Sequence, residues 1–235
     1  ERRQGLDNQP YGKSEELIDE LAYDNPAYEH SVIGSMADLN AASVDDVASF
    51  FKMYYAPNNA VLAIVGDIDP KATLEKVRKA FAAIPAQPAP PKVDMTEPVQ
   101  TAERRQTVDD PLARLARVDI AFKVPPRTSD EDDAVRVLGT ILSSGRSSRF
   151  FQKVVREQQL AANVFAGRDS AVGPGLFGIS ATVAPGKTPE AVEAAVLAEI
   201  ERVKAGPIEA WEIEKAINNA KRTVVGGLTS SLQRG

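Results

Sequence analysis

The sequence contains no cysteine. That excludes a disulfide framework, a thiolate metal site and a cysteine nucleophile. It contains a single histidine, His30, so a zinc site built on two imidazoles cannot form within the chain. His30 sits in a loop pattern, Tyr28 to Gly34, and reads as a hydrogen-bonding loop residue rather than a catalytic one. No apolar run approaches the roughly 18–20 residues that a membrane span needs. Neither charge dominates: 28 Lys and Arg are interspersed with 33 Asp and Glu, for a net charge of −5. No basic cluster of the nucleic-acid-binding kind stands out. There is no G-x-S-x-G elbow. The run Ser144-Gly145-Arg146-Ser147-Ser148-Arg149 lacks the lysine and the preceding strand of a phosphate loop, and reads as one helix stopping and another starting. What remains is ordinary globular composition, 43% hydrophobic and 26% charged over 235 residues, enough for one large domain or two modest ones. The chain opens on Glu1-Arg2-Arg3-Gln4 and stops directly after a helical pattern, so both ends read as cuts within a longer protein.

Hydrophobic periodicity divides the chain into two halves. Leu17, Ile18 and Leu21 form a short helical stripe from Ser14. Ser43 opens a second helix, with Asp46 three residues on as a variant capping box and Val44, Val47 and Phe51 on one face. The continuous apolar run Ala60 to Val65, closed by Gly66-Asp67, predicts a strand buried on both faces. Asp69-Pro70 then supplies an N-cap and an N1 proline for a helix carrying Leu74, Val77 and Phe81. Prolines 85, 88, 90, 91 and 98 mark a semi-rigid spacer. Beyond it, Val118, Ile120, Phe122 and Val124 alternate with polar neighbours as a half-buried strand. A helix capped by Ser129 should run to Gly145, and another from Ser147 to Gln159. Strands are predicted near 161–168 and 176–183, and a helix from Thr188 carries Val192, Val196, Ile200 and Val203. Strand, tight turn, N1 proline and helix recur after Val65 and after Val183, which suggests two copies of one domain type. The expected division is residues 1–84, a linker at 85–98, and residues 99–235.

The run Phe51 to Asp69, which includes Pro57-Asn58-Asn59-Ala60 and Gly66-Asp67, resembles the insulinase/pitrilysin family of zinc peptidases, to which the mitochondrial processing peptidase is related. So do His30-Ser31-Val32-Ile33-Gly34-Ser35, the helix end Phe81-Ala82-Ala83-Ile84-Pro85, Gly145 to Phe150, and Gly175-Leu176-Phe177. The resemblance covers nearly the whole chain. It implies an α+β fold of repeated two-layer α/β domains, with an antiparallel-rich sheet and helices packed on one face. It also implies peptide hydrolysis by metal-activated water. In the family, two histidine ligands and the general-base glutamate lie in an upstream H-x-x-E-H motif, and a later glutamate is the third zinc ligand. Glu1, in Glu1-Arg2-Arg3-Gln4, matches that third ligand, so zinc is implied for the intact protein while this stretch alone should be inactive. The family often carries an Arg and a Tyr that grip the substrate backbone, and these align with Val155 and Ala162, which cannot do so; Arg156 is one residue off. The implied partners are therefore a peptide substrate and a related subunit, in a homo- or heterodimer, supplying the Arg/Tyr pair. A periplasmic or otherwise exported location is expected from bacterial relatives of this type, and the cysteine-free composition is compatible with it. Two other readings are a non-catalytic scaffold or partner subunit of the same family, and an unrelated α/β binding module.

Overall fold

A computed structural model describes residues 1–169 and 171–234. Arg3–Asp7 is a π-helical turn, followed by α1 (Gly12–Ala22), α2 (Pro26–Glu29), α3 (Met36–Ala41), α4 (Val44–Tyr54) and α5 (Pro70–Phe81). The remainder is β1 (Arg117–Val124), α6 (Asp132–Ser143), a π-helical segment Phe151–Glu157, β2 (Ala161–Asp169), β3 (Gly175–Val183), α7 (Pro189–Ala205), α8 (Ala210–Gly227) and α9 (Ser231–Arg234). Two compact units are present, one of Glu1–Gly34 with Asp94–Asn218 and one of Ser35–Val93 with Asn219–Gly235.

The first unit is built on an antiparallel sheet in the order β1-β3-β2. Alternation along a strand sends Phe177, Ile179, Ala181 and Val183 to one face. There they meet Leu142 of α6, Phe150 at the start of the π-helical segment, Val154 within it, and Val192 and Val196 of α7, all buried. Val118 and Ile120 lie opposite Ala181 and Ile179 and join the same core. This is the expected α+β arrangement of an antiparallel sheet under helices. The other face of β1 is covered too. Ala121 and Leu176 pack with Ala22 and Tyr23 from the end of α1, so β1 is half-buried along nearly all its length instead of alternating cleanly.

Residues 1–34 pack with 94–218, not with the rest of the 1–84 segment. The cause is visible in the polar contacts. The Arg117 guanidinium donates to Ser14 Oγ at 2.9 Å and lies 4.4 Å from the centre of the Tyr11 ring. Tyr23 Oη donates to the carbonyl of Pro174 at 2.9 Å. Glu97, at the end of the proline-rich spacer, accepts from the backbone of Asp24 and Asn25 at 3.0 Å each. The break between the units at Val93 and Asp94 falls inside the 85–98 spacer. Units of packing and copies of a domain type are different things.

In the second unit the caps form as the sequence predicts. Ser43 and Asp46 make a reciprocal capping box at α4, and Asp69 Oδ1 accepts from Ala72 N at 2.8 Å with Pro70 in the first turn of α5. The expected buried strand does not form. Residues 61–68 make no backbone–backbone hydrogen bond among the described residues, and Val61 is 99% exposed. A strand exists only against a partner strand, and among the described residues the three strands pair with one another in the first unit. The stripe of α4 is likewise open, with Val44, Val47 and Phe51 exposed. These apolar residues carry the pattern of a buried layer without the surface that would bury them.

Two helix boundaries also differ from expectation. α6 begins at Asp132 with Glu131 as its cap, while Ser129 caps only the preceding turn, accepting from Glu131 N at 3.1 Å. The expected helix at 147–159 is π-helical over Phe151–Glu157 and closes on Gln159 at φ 51°. A non-glycine residue in the left-handed region costs about 1–2 kcal/mol, more than the extra chain entropy glycine loses on folding. Gln159→Gly should therefore stabilise the first unit by about 0.5–1 kcal/mol, read as a rise in the urea midpoint at unchanged slope. A fall in the midpoint would show that the Gln159 side chain contributes more than its backbone conformation costs.

Candidate functional site

Glu1 lies on the first turn of the chain, and its carbonyl accepts from Gln4 N at 3.0 Å and Gly5 N at 2.7 Å. Its side chain is exposed and takes part in no hydrogen bond or ion pair among the described residues. The next residue is held firmly. Arg2 presents its guanidinium fork to Glu16 on α1, Nη1 to Oε1 at 2.5 Å and Nη2 to Oε2 at 2.7 Å. Nη1 also donates to the carbonyl of Gly34 at 2.6 Å. Both side chains are largely buried, at 15% and 19% exposure. The bond from Glu16 raises the Arg2 pKa further above its already high ordinary value, so the charge is constant at any working pH.

The far end of the segment is clamped as well. Tyr11 has φ 68°, an uncommon conformation for a bulky residue. It is stabilised by Asp110, which accepts from Tyr11 N at 2.6 Å, and by the Tyr11 hydroxyl donating to the Leu115 carbonyl at 2.8 Å. The Tyr11 and Leu112 amides hold the Asp110 carboxyl below the usual carboxylate range. At Gly12 any Cβ would lie 2.2 Å from the carbonyl oxygen of Leu6, so only glycine lets α1 start this close to the π-helical turn.

A carboxylate oxygen is a proper zinc ligand type, and Glu1 is available to serve as one. Zinc needs three or four protein ligands. Among the described residues no group of three or more His, Cys, Asp and Glu side chains comes together. The described residues thus gather no metal site of their own. His30 is exposed, with Nδ1 3.2 Å from the Ser31 carbonyl, in line with its reading as a loop residue.

Val155 and Ala162 sit at a second irregular place. Val155 lies in the π-helical segment, which with Arg146, Phe151, Gln152, Arg156 and Gln159 lines a shallow concavity. Ala162 is exposed and is the extra residue of a bulge in β2, between Ala161 opposite Val183 and Asn163 opposite Thr182. Arg156 is exposed and donates to Gln152 Oε1 at 3.0 Å. Neither Val155 nor Ala162 offers a donor side chain at this corner.

Residues 41–220 match the family described as the peptidase M16 inactive domain. The chain belongs to the peptidase M16 family. Over 98% of its length it is 29% identical to a Helicobacter pylori protein named zinc protease PqqE, of which it covers 52%. It is 26% identical over 91% of its length to an uncharacterized zinc protease of Streptomyces coelicolor, covering 47% of that protein. In three dimensions it superposes on the crystal structure of a protease from Helicobacter pylori with a TM-score of 0.92 at 28% identity, over 99% of this chain and 57% of the other. The chain therefore spans about half the length of the curated relatives it matches. The M16 assignment agrees with the resemblance carried by Phe51–Asp69 and Gly145–Phe150.

Arg2 and Gly34 fall inside motifs that carry the family resemblance but were given no role of their own, and Glu16 was not singled out. Arg2 and Glu16 are 14 residues apart, a spacing with no helical or strand meaning. Only the fold of the turn between them brings the charges together.

Proposed function

We propose that this M16 chain is the non-self-sufficient half of a zinc-dependent endopeptidase, contributing Glu1 as one metal ligand to a site whose other ligands lie outside it. The observation that carries this is the M16 match, with relatives named zinc proteases of which the chain covers about half. When bound, zinc polarises a scissile carbonyl and lowers the pKa of water. The part played by this chain is to hold a carboxylate in place and to supply a wall of packed α/β structure. Peptides are the proposed substrate. The empty positions Val155 and Ala162 support a related subunit, in a homo- or heterodimer, that provides the Arg/Tyr grip. The division into one repeat over 1–84 and another over 99–235, and an exported location, belong to the same proposal. A non-catalytic partner subunit is the second reading, supported by the match to an inactive domain.

The test is hydrolysis of a quenched fluorescent peptide. The full-length protein, with a related subunit where one exists, should cleave it, lose activity to a chelator and regain it with zinc, whereas residues 1–235 alone should not cleave. No cleavage by the zinc-loaded complete assembly would leave the non-catalytic reading.

A further inference from the structure

We infer that residues 60–65 are an inner strand of a sheet whose neighbouring strands belong to the full-length protein outside residues 1–235. The second unit lacks a core of its own. Among its described residues Ala56 alone is buried, far short of what a folded layer buries. Residues 61–68 are bare along both ladder edges, with no backbone–backbone hydrogen bond among the described residues. Val61, Leu62, Ile64 and Val65 are exposed. A strand that stays at an edge is normally guarded by a charge, a proline or a bulge. Ala60-Val61-Leu62-Ala63-Ile64-Val65 holds neither charge nor proline, which is the composition of a strand that is covered. The stripes of α4 and α5 are open as well, at Val47 and Phe51 and at Leu74 and Phe81, and apolar helix faces need a layer to pack on. A second copy of the chain, pairing this strand with itself about a two-fold axis, would cover one edge and leave the other bare. Two flanking strands require more chain. The relatives have it, since this chain spans about half their length, and the longer Helicobacter pylori protease shares its backbone arrangement. Such pairing is independent of zinc and of Glu1.

The experiment is amide hydrogen exchange of the metal-free full-length protein, read by mass spectrometry, with light scattering to identify the monomer. Peptides covering residues 60–66 should exchange at least about 100-fold more slowly than unstructured chain, and they should do so in the monomer. A photoreactive benzophenone amino acid in place of Leu62 then identifies the neighbour, which should be a peptide outside residues 1–235. Ala63→Pro removes a ladder donor from the middle of the strand. It should abolish the protection at 60–66 and lower the melting temperature by several degrees, whereas an unpaired segment would tolerate it. If Ala63→Pro fails to fold, the exchange and cross-link of the parent sequence decide. Fast exchange at 60–66 in the monomer overturns the inner-strand assignment. Protection that rises with concentration and cross-links to a second copy overturns it too, as does a cross-link to another segment of 1–235.

Discussion

Phe150→Ala should lower the unfolding free energy of the first unit by about 3–5 kcal/mol, the usual range for removing a buried aromatic ring. Phe150 is fully buried and shares its core with Leu142, Val154, Val192 and Val196. These neighbours come from α6, the π-helical segment and α7, held over a sheet, so they cannot collapse far into the space left behind. Urea unfolding followed by far-UV circular dichroism should show the midpoint falling at unchanged slope. Phe150→Leu should cost much less, because most of the volume is kept. A Phe150→Ala loss below about 1 kcal/mol would mean that the ring is not packed as described.

The second large effect is at Glu212. Arg149 donates to Glu212 through Nε at 2.8 Å and Nη2 at 2.7 Å. Glu212 also accepts from Glu209 N at 3.0 Å in the first turn of α8, and its side chain is only 6% exposed. Glu212→Ala leaves the Arg149 charge confined without a counter-ion. A fully buried partner loss costs about 3–5 kcal/mol. Arg149 keeps some solvent contact, at 17% exposure, so about 2–4 kcal/mol is expected. Replacing both residues, Arg149→Met with Glu212→Leu, should recover most of that loss, since an apolar pair of similar volume leaves no unpaired charge. Fluorescence of Trp211, the neighbouring residue and the sole tryptophan, is the natural probe. A double variant as damaged as Glu212→Ala would show that the charges themselves, not the unpaired arginine, matter.

The same pair sets a pH dependence. The hydrogen bonds from Arg149 hold the Glu212 carboxyl below its ordinary value of 4.5. A carboxyl with a lowered folded-state pKa contributes stability that is complete above its unfolded value and disappears as pH falls through the folded value. The first unit should therefore lose stability below about pH 4.5, and the Arg149→Met/Glu212→Leu variant should lose less over that window.

Both predictions fall in or against the run Gly145 to Phe150, which resembles the peptidase family. The structure shows why these residue types belong there. Gly145 takes φ 73° to end α6. Ser148 Oγ donates back to the Gly145 carbonyl at 2.7 Å, and Ser147 Oγ accepts from Lys215 at 2.9 Å. Arg149 anchors α8, and Phe150 fills the core. The motif is a structural junction, in agreement with reading it as a helix stop and start rather than a phosphate cradle.

Elements whose partners lie within the chain were legible from sequence. β1, β2 and β3 alternate or run apolar as strands do, and each finds its ladder here. The N-caps Ser43, Asp69 and Thr188 form as local chemistry. The Ala60–Val65 run was misread as a formed strand because its pattern encodes burial, and burial requires a surface that periodicity does not reveal. The π-helical turn at Arg3–Asp7 and the bulge at Ala162 depend on single-residue register, which apolar spacing does not encode. At the candidate site, Glu1 was legible only through family resemblance. The neighbouring Arg2–Glu16 pair was invisible, since a contact made by a fold leaves no spacing to read.

The central claim is that Glu1 is one zinc ligand of a larger site. The direct measurement is zinc per chain in the purified full-length protein and its Glu1→Gln variant, by elemental analysis after dialysis, with intact mass confirming each chain. The account predicts about one zinc in the parent and a large loss in the variant, a carboxylate ligand being among the three protein ligands of such sites. Equal zinc in both, or none in the parent even after metal loading, would contradict it.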